Sequence, residues 1–243
     1  MDLDQIKQTL ADGEPQERVK AMRLLRAYPA EVAVPLLESQ MGHGDFLVRS
    51  FIAMGLGLYP SDRTLKTLRQ LLDDGDYSVR AEAAGSLGRC DASVIPDLVS
   101  AFKRDDHWLV RRSILESIIE LHQPAALLEI CEIGIAGDDV SVMEASVDAL
   151  TLLAKTELRD RALELLLPFV SDDWWQLRWR TARALAFFDD PKAIAARQYL
   201  AKDTDHRVVG AAMEAVARET GDRSGGGSPR AIEGDPSTPG FSS

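Results

Sequence analysis

The sequence predicts an all-α protein, a right-handed α-solenoid of about seven short helical-hairpin repeats. Two observations carry this. An aliphatic residue with an acidic lead-in recurs seven times at a period near 31 residues. No run along the chain alternates apolar and polar residues in the manner of a strand.

The recurrence appears when the chain is aligned on an aliphatic residue usually followed by a base. The copies are EPQERVKAM, HGDFLVRSF, DGDYSVRAE, RDDHWLVRRS, DDVSVMEAS, DDWWQLRWR and TDHRVVGAA. Their anchors are Val19, Val48, Val79, Val110, Val142, Leu177 and Val208, separated by 29, 31, 31, 32, 35 and 31 residues. An acid two to five residues before the anchor suits the first N–H groups of a helix. Small or apolar residues then follow at helical spacing: Ala83, Ala84 and Leu87 in the third copy, Thr181, Ala182 and Leu185 in the sixth. A second apolar helix is expected in each unit, as at 34–40, 64–72, 95–102, 126–133 and 162–170. Such a hairpin cannot bury its own apolar face, whereas stacked hairpins share one continuous core. The solenoid is expected over residues 1–220. Residues 221–243, dominated by glycine, serine and proline, read as a disordered tail.

Composition narrows function by exclusion. Of 243 residues, 45% are hydrophobic and 28% charged, and the longest apolar stretches are too short to span a bilayer. The acidic start MDLDQIKQTL lacks the layout of a signal peptide, so a cytoplasmic protein without membrane insertion is expected. A net charge of −11 opposes binding to nucleic acid or to an anionic membrane. Cys90 and Cys131 have neither disulfide-framework nor zinc-site spacing and read as buried small hydrophobes.

The acid–acid–aromatic–x–Val–Arg opening resembles HEAT repeats of the short, phycobilisome-lyase-like type. DGDYSVRAEAAGSLG (74–88), DDHWLVRRSILESI (105–118) and, more loosely, DDWWQLRWRTARAL (172–185) carry the resemblance, which extends over about residues 10–220. The group includes the E/F-type phycobilin lyases and their relatives in phycobilisome breakdown, which handle linear tetrapyrroles on phycobiliprotein cysteines. The resemblance therefore implies a protein partner, either a phycobiliprotein or a second HEAT-repeat subunit, and a bilin as the ligand such a surface would take. Deoxyhypusine hydroxylase, another HEAT-repeat enzyme, is marked by His–Glu pairs. Here His43, His107, His122 and His206 are followed by Gly44, Trp108, Gln123 and Arg207, so no metal site is expected.

No GxxxxGK[ST] loop, GxSxG elbow or HExxH pair is present. Arg49, Arg80, Arg111 and Arg178 follow their anchors, with Lys20 in the first copy. Stacked repeats would bring them near acids such as Asp45, Asp76 and Asp106. They read either as inter-repeat ion pairs or as donors for a partner's carboxylates. Phe46, Tyr77, Trp108 and Trp175 stand two before their anchors and read as covers over the core. Asp105, Asp106, Asp172 and Asp173 are expected to cap their helices. Three before the anchor, where Asp45, Asp76, Asp139 and Asp205 stand elsewhere, are His107 and Trp174. These two rings mark either a binding edge or a variation folded onto neighbouring repeats.

The candidate edge is thus Asp105, Asp106, His107, Trp108, Arg111, Arg112, Asp172, Asp173, Trp174, Trp175 and Arg178. The expected function is a protein-binding scaffold or chaperone requiring no cofactor, acting on phycobiliproteins, the phycobilisome or a related assembly. The alternative is an E/F-type lyase, with arginines on bilin propionates, rings on the bilin plane, and His107 or Asp106 handling a proton.

Overall fold

The computed structural model describes residues 1–214. The expected tail at 221–243, and the end of the 1–220 solenoid, lie outside the described residues. Within them the secondary structure is helical throughout. The α-helices are α1 (Leu3–Asp12), α2 (Pro15–Leu25), α3 (Ala30–Glu38), α4 (Phe46–Leu56), α5 (Asp62–Leu71), α6 (Tyr77–Gly88) and α7 (Ile95–Arg104). They continue as α8 (Trp108–Glu120), α9 (Pro124–Ala136), α10 (Val140–Ala149), α11 (Arg159–Leu166), α12 (Trp175–Leu185) and α13 (Pro191–Leu200). A further helix begins at His206.

The helices form two layers. The anchor-bearing helices α2, α4, α6, α8, α10 and α12 each pack on the next, and the intervening helices return behind them. All seven anchors are buried, and they belong to one apolar core. α1, which carries no anchor, lies against α2.

Small residues set how closely the anchor layer packs. Ser86 Oγ donates to the Ala53 carbonyl at 2.9 Å, and Ser117 Oγ repeats the bond one unit later to Ala84 at 3.0 Å. A Cβ added at Gly88 would collide with Ser117, so glycine is required there by close approach. These bonds satisfy buried hydroxyls while fixing helix register.

The second helices fall where the apolar runs put them, all but α7 starting earlier than their runs. The run at 162–170 is divided: α11 ends at Leu166 and a 3-10 turn occupies Leu167–Ser171. Pro168 explains the change, because it lacks the N–H that an α-helix would need.

Candidate functional site

α4, α6, α8 and the helix that begins at His206 start with the same pair of side-chain hydrogen bonds. The N-cap side chain accepts the N–H two residues on: Asp45 from Leu47 at 2.8 Å, Asp76 from Ser78 at 2.8 Å. Two residues before the cap, a second side chain accepts the N–H of the cap residue itself. Asp74 does this for Asp76 at 2.9 Å, and Asp203 for Asp205 at 2.8 Å.

The fourth and sixth copies reassign the residues singled out by sequence. His107, not Asp105 or Asp106, is the N-cap of α8, and its Nδ1 accepts from the Leu109 N–H at 3.2 Å. An imidazole with one lone pair can therefore replace the capping carboxylate. Asp105 accepts the His107 N–H at 3.0 Å, and Asp106 is exposed. Trp174 occupies the N-cap of α12 and makes no side-chain capping bond, since an indole offers no acceptor. Asp172 accepts the Trp174 N–H at 2.8 Å, while Asp173 is exposed.

The arginines do form an inter-repeat ladder, but with other acids than Asp45, Asp76 and Asp106. Arg49 grips Asp74 of the next repeat through Nε at 2.7 Å and Nη2 at 2.9 Å. Arg80 grips Asp105 at 2.6 and 3.2 Å, and Arg178 grips Asp203 at 2.7 and 2.9 Å. Each of these arginines also donates to carbonyls of its own helix-start segment. The Arg49 bond holds Asp74 below the usual carboxylate range, and the Arg178 bond does the same for Asp203. Burial pushes Asp105 up, but the Arg80 bond and the His107 N–H together bring it below its ordinary value. Lys20 is exposed. Arg111 departs from the pattern: its Nε donates to the Asp105 carbonyl at 2.7 Å, and its guanidinium lies 5.5 Å from the Phe102 ring. Arg112 points elsewhere, to Ser141 Oγ at 3.3 Å and to Glu116 at 3.6 Å.

Three of the four aromatic residues two before the anchor do not cover the core. Phe46, Tyr77 and Trp108 are 47%, 44% and 43% exposed, and Trp174 is 47% exposed. Helix phase is the cause. These rings occupy the first helical position and the anchors the third, about 200° apart around the axis, so an inward anchor turns the ring outward. Tyr77 and His107 stack across the repeat boundary with centroids 3.8 Å apart and planes 8° from parallel. Trp108 follows at 6.0 Å from His107. Val140 holds the same position in the fifth repeat and is also exposed. Trp175 alone behaves as a cover, half-buried against the core with the Arg207 guanidinium 3.2 Å above its ring.

The expected edge therefore divides into a ring row along the helix starts and a set of clamps beneath it. Phe46, Tyr77 and Val140 belong to the row although sequence reading did not place them there. Elsewhere Cys131 is buried, and burial, with Glu132 nearby, pushes its thiol up to about 12; Cys90 is half-buried and is raised by burial too. Among the described residues no three His, Cys, Asp or Glu side chains are grouped to hold a metal ion, and no helix is long and apolar enough to cross a membrane.

Stacked hairpins, a repeated ionic rung and an exposed row of rings define an α-solenoid scaffold. The chain belongs to the HEAT-repeat family: the family's model matches residues 3–88, 35–119 and 65–151, together more than half of the sequence. No curated protein sequence matches the chain. Among solved structures it is similar to YibA of E. coli at 17% identity and TM-score 0.60, covering 90% of this chain and 93% of that one. It is also similar to the complex of CpcE and CpcF of phycocyanin lyase from Nostoc, at 18% identity and TM-score 0.51, covering 90% and 88%. Human deoxyhypusine hydroxylase in complex with glycerol matches at 18% identity, TM-score 0.45 and 90% and 96% coverage. These likenesses are likenesses of fold.

Proposed function

We propose that this chain is a protein-binding scaffold that docks a partner polypeptide along the ring row, and that the partner is a phycobiliprotein or a component of a related assembly. The carrying observation is the row itself: Phe46, Tyr77 and Trp108 in equivalent places, with Trp174 one position earlier in its own repeat, large rings turned to solvent over repeats that ion pairs hold in register. Aromatic side chains lose little conformational freedom on binding and commonly dominate interface energetics. HEAT repeats typically serve as protein-interaction scaffolds, which supports the class. The phycobiliprotein rests on the resemblance of the helix-start motifs to the phycobilisome-lyase-like type.

The test is calorimetric titration of phycocyanin into the wild type and into a Tyr77→Ser/Trp108→Ser/Trp174→Ser variant. Binding by the wild type, weakened at least about tenfold in a variant of unchanged helicity, is the expected outcome. Equal affinities would remove the ring row; no binding by the wild type would remove this partner. Lyase-type handling of a bilin is the second reading, favoured by the stacked Tyr77, His107 and Trp108 rings as a platform for a flat ligand. A red-shifted, intensified band on adding phycocyanobilin supports it, and an unchanged spectrum with and without phycocyanin counts against it.

A further inference from the structure

The arginine ladder is interrupted at the fifth repeat, and the interruption has a definite chemistry. Each complete rung joins the arginine after one anchor to the acid two residues before the next helix cap. In the fifth repeat the cap is Asp139, so the acid's place falls to Gly137. Gly137 has φ −83° and ψ 174°, ordinary extended backbone that an aspartate could adopt. A Cβ built there would stand 3.5 Å from Nη1 of Arg111. Arg111 thus reaches to where its carboxylate would be, and sequence has removed the carboxylate. No Asp or Glu among the described residues forms an ion pair with Arg111, in contrast to Arg49, Arg80 and Arg178.

We propose that Arg111, beside Gly137, is a receptor for a carboxylate supplied by a partner polypeptide. This rests on the reading of the helix-start edge as a docking surface and names what the partner must present there. The neighbouring rungs show a carboxylate gripped through Nε and Nη2; on Arg111, whose Nε donates to the Asp105 carbonyl, the two Nη nitrogens would make the corresponding grip. Exposed Trp108 and Val140 stand at the starts of α8 and α10, three residues along the chain from Arg111 and Gly137, and would take apolar side chains adjoining that carboxylate. A polyanion such as nucleic acid is opposed by the net charge of −11, whereas one carboxylate set in an apolar segment is not. The carboxylate is either an acidic side chain or a chain terminus, which the same contacts would accept.

Three peptides separate the possibilities: Ac-Phe-Asp-Leu-NH2, Ac-Phe-Asn-Leu-NH2, and Ac-Phe-Asn-Leu with a free C-terminal carboxylate. Each is titrated into ¹⁵N-labelled protein while the amide signals of residues 107–112 and 138–140 are followed. A carboxylate-bearing peptide is expected to bind at least about tenfold more tightly than the amide. Whichever carboxylate peptide does so identifies the source. Arg111→Gln should abolish the preference, and so should Gly137→Asp, which fills the position from within while leaving Arg111 in place. Higher thermal stability of Gly137→Asp shows that it has folded and closed the rung. Equal binding of acid and amide peptides, or an undiminished preference in Gly137→Asp, overturns the receptor. If those equal affinities are lost together in Trp108→Ser, the ring edge survives and the receptor does not. No response to any peptide also overturns it, leaving the ring row to the phycocyanin titration.

Discussion

At the scale of single residues, the two helix caps that depart from aspartate differ in what they cost. His107 keeps the capping bond through Nδ1 and adds a stack on Tyr77. Trp174 keeps neither: its ring is exposed, and its helix begins without a side-chain acceptor. Replacing a residue that cannot cap by one that can typically gains about 1 kcal/mol. Trp174→Asp is therefore expected to raise the urea midpoint by a corresponding amount while weakening partner binding. Opposite movement of the two measurements is the signature of a ring kept at the expense of stability. Loss of stability instead would show that the indole packs structurally. The oddity of His107 and Trp174 was legible in sequence, because four other copies carry aspartate there. That an imidazole could cap was legible too, from a lone pair that the indole of Trp174 lacks.

At the scale of the helix and its rung, acid should loosen the stack. Asp74 and Asp203 lie below their ordinary values chiefly through their arginine bonds; burial pushes Asp105 up, but the Arg80 bond and the His107 N–H together outweigh it. A carboxylate depressed in the folded state contributes stability above its unfolded value, near pH 4. That contribution is lost as pH falls through the folded value. Arg80→Gln would leave Asp105 half-buried without its cation, at a cost between those of surface and buried pairs, about 2 kcal/mol at pH 7. Urea titrations should show that difference at pH 7 and progressively less of it as the pH falls below about 4, where the wild type begins to lose the pair as well. A difference independent of pH would mean that the arginine acts through packing. The existence of the ladder was legible from recurring bases after recurring anchors. Its acids were not, because two adjacent aspartates, such as Asp105 and Asp106, compete for the role and only the turn geometry separates them. The outward rings were legible in principle, two positions being more than half a helical turn, yet their size suggested burial.

At the scale of the whole molecule, the solenoid is held by nearest-neighbour terms, so a missing term acts locally. The ladder fails on both sides of the fifth repeat. Arg111 meets Gly137 in place of an acid, and Met143 stands where an arginine would reach Asp172. Rungs of this ladder thus join repeats two to four and repeats six to seven, while the fifth is joined to its neighbours by apolar packing of α8 on α10 and α10 on α12 and by pairs outside the ladder, Lys103 with Glu129, Arg161 with Glu132, and Arg180 with Glu144 and Asp148. Met143 is half-buried against the core, so its side chain contributes to that packing. Restoring both rungs with Gly137→Asp/Met143→Arg should make the fifth repeat open less often relative to the others. Native-state hydrogen exchange reads this directly, since amides of α9 and α10 report opening of that unit. The expected result is slower exchange there by about tenfold or more, the effect of roughly 1.4 kcal/mol, with much smaller changes in α4 and α5. Exchange slowed equally throughout would show a single cooperative unit that no local rung divides. Exchange unchanged in α9 and α10 would show that apolar packing and the Arg180, Arg161 and Lys103 pairs already hold the fifth repeat as firmly as its neighbours, and that the missing rungs leave no weak joint.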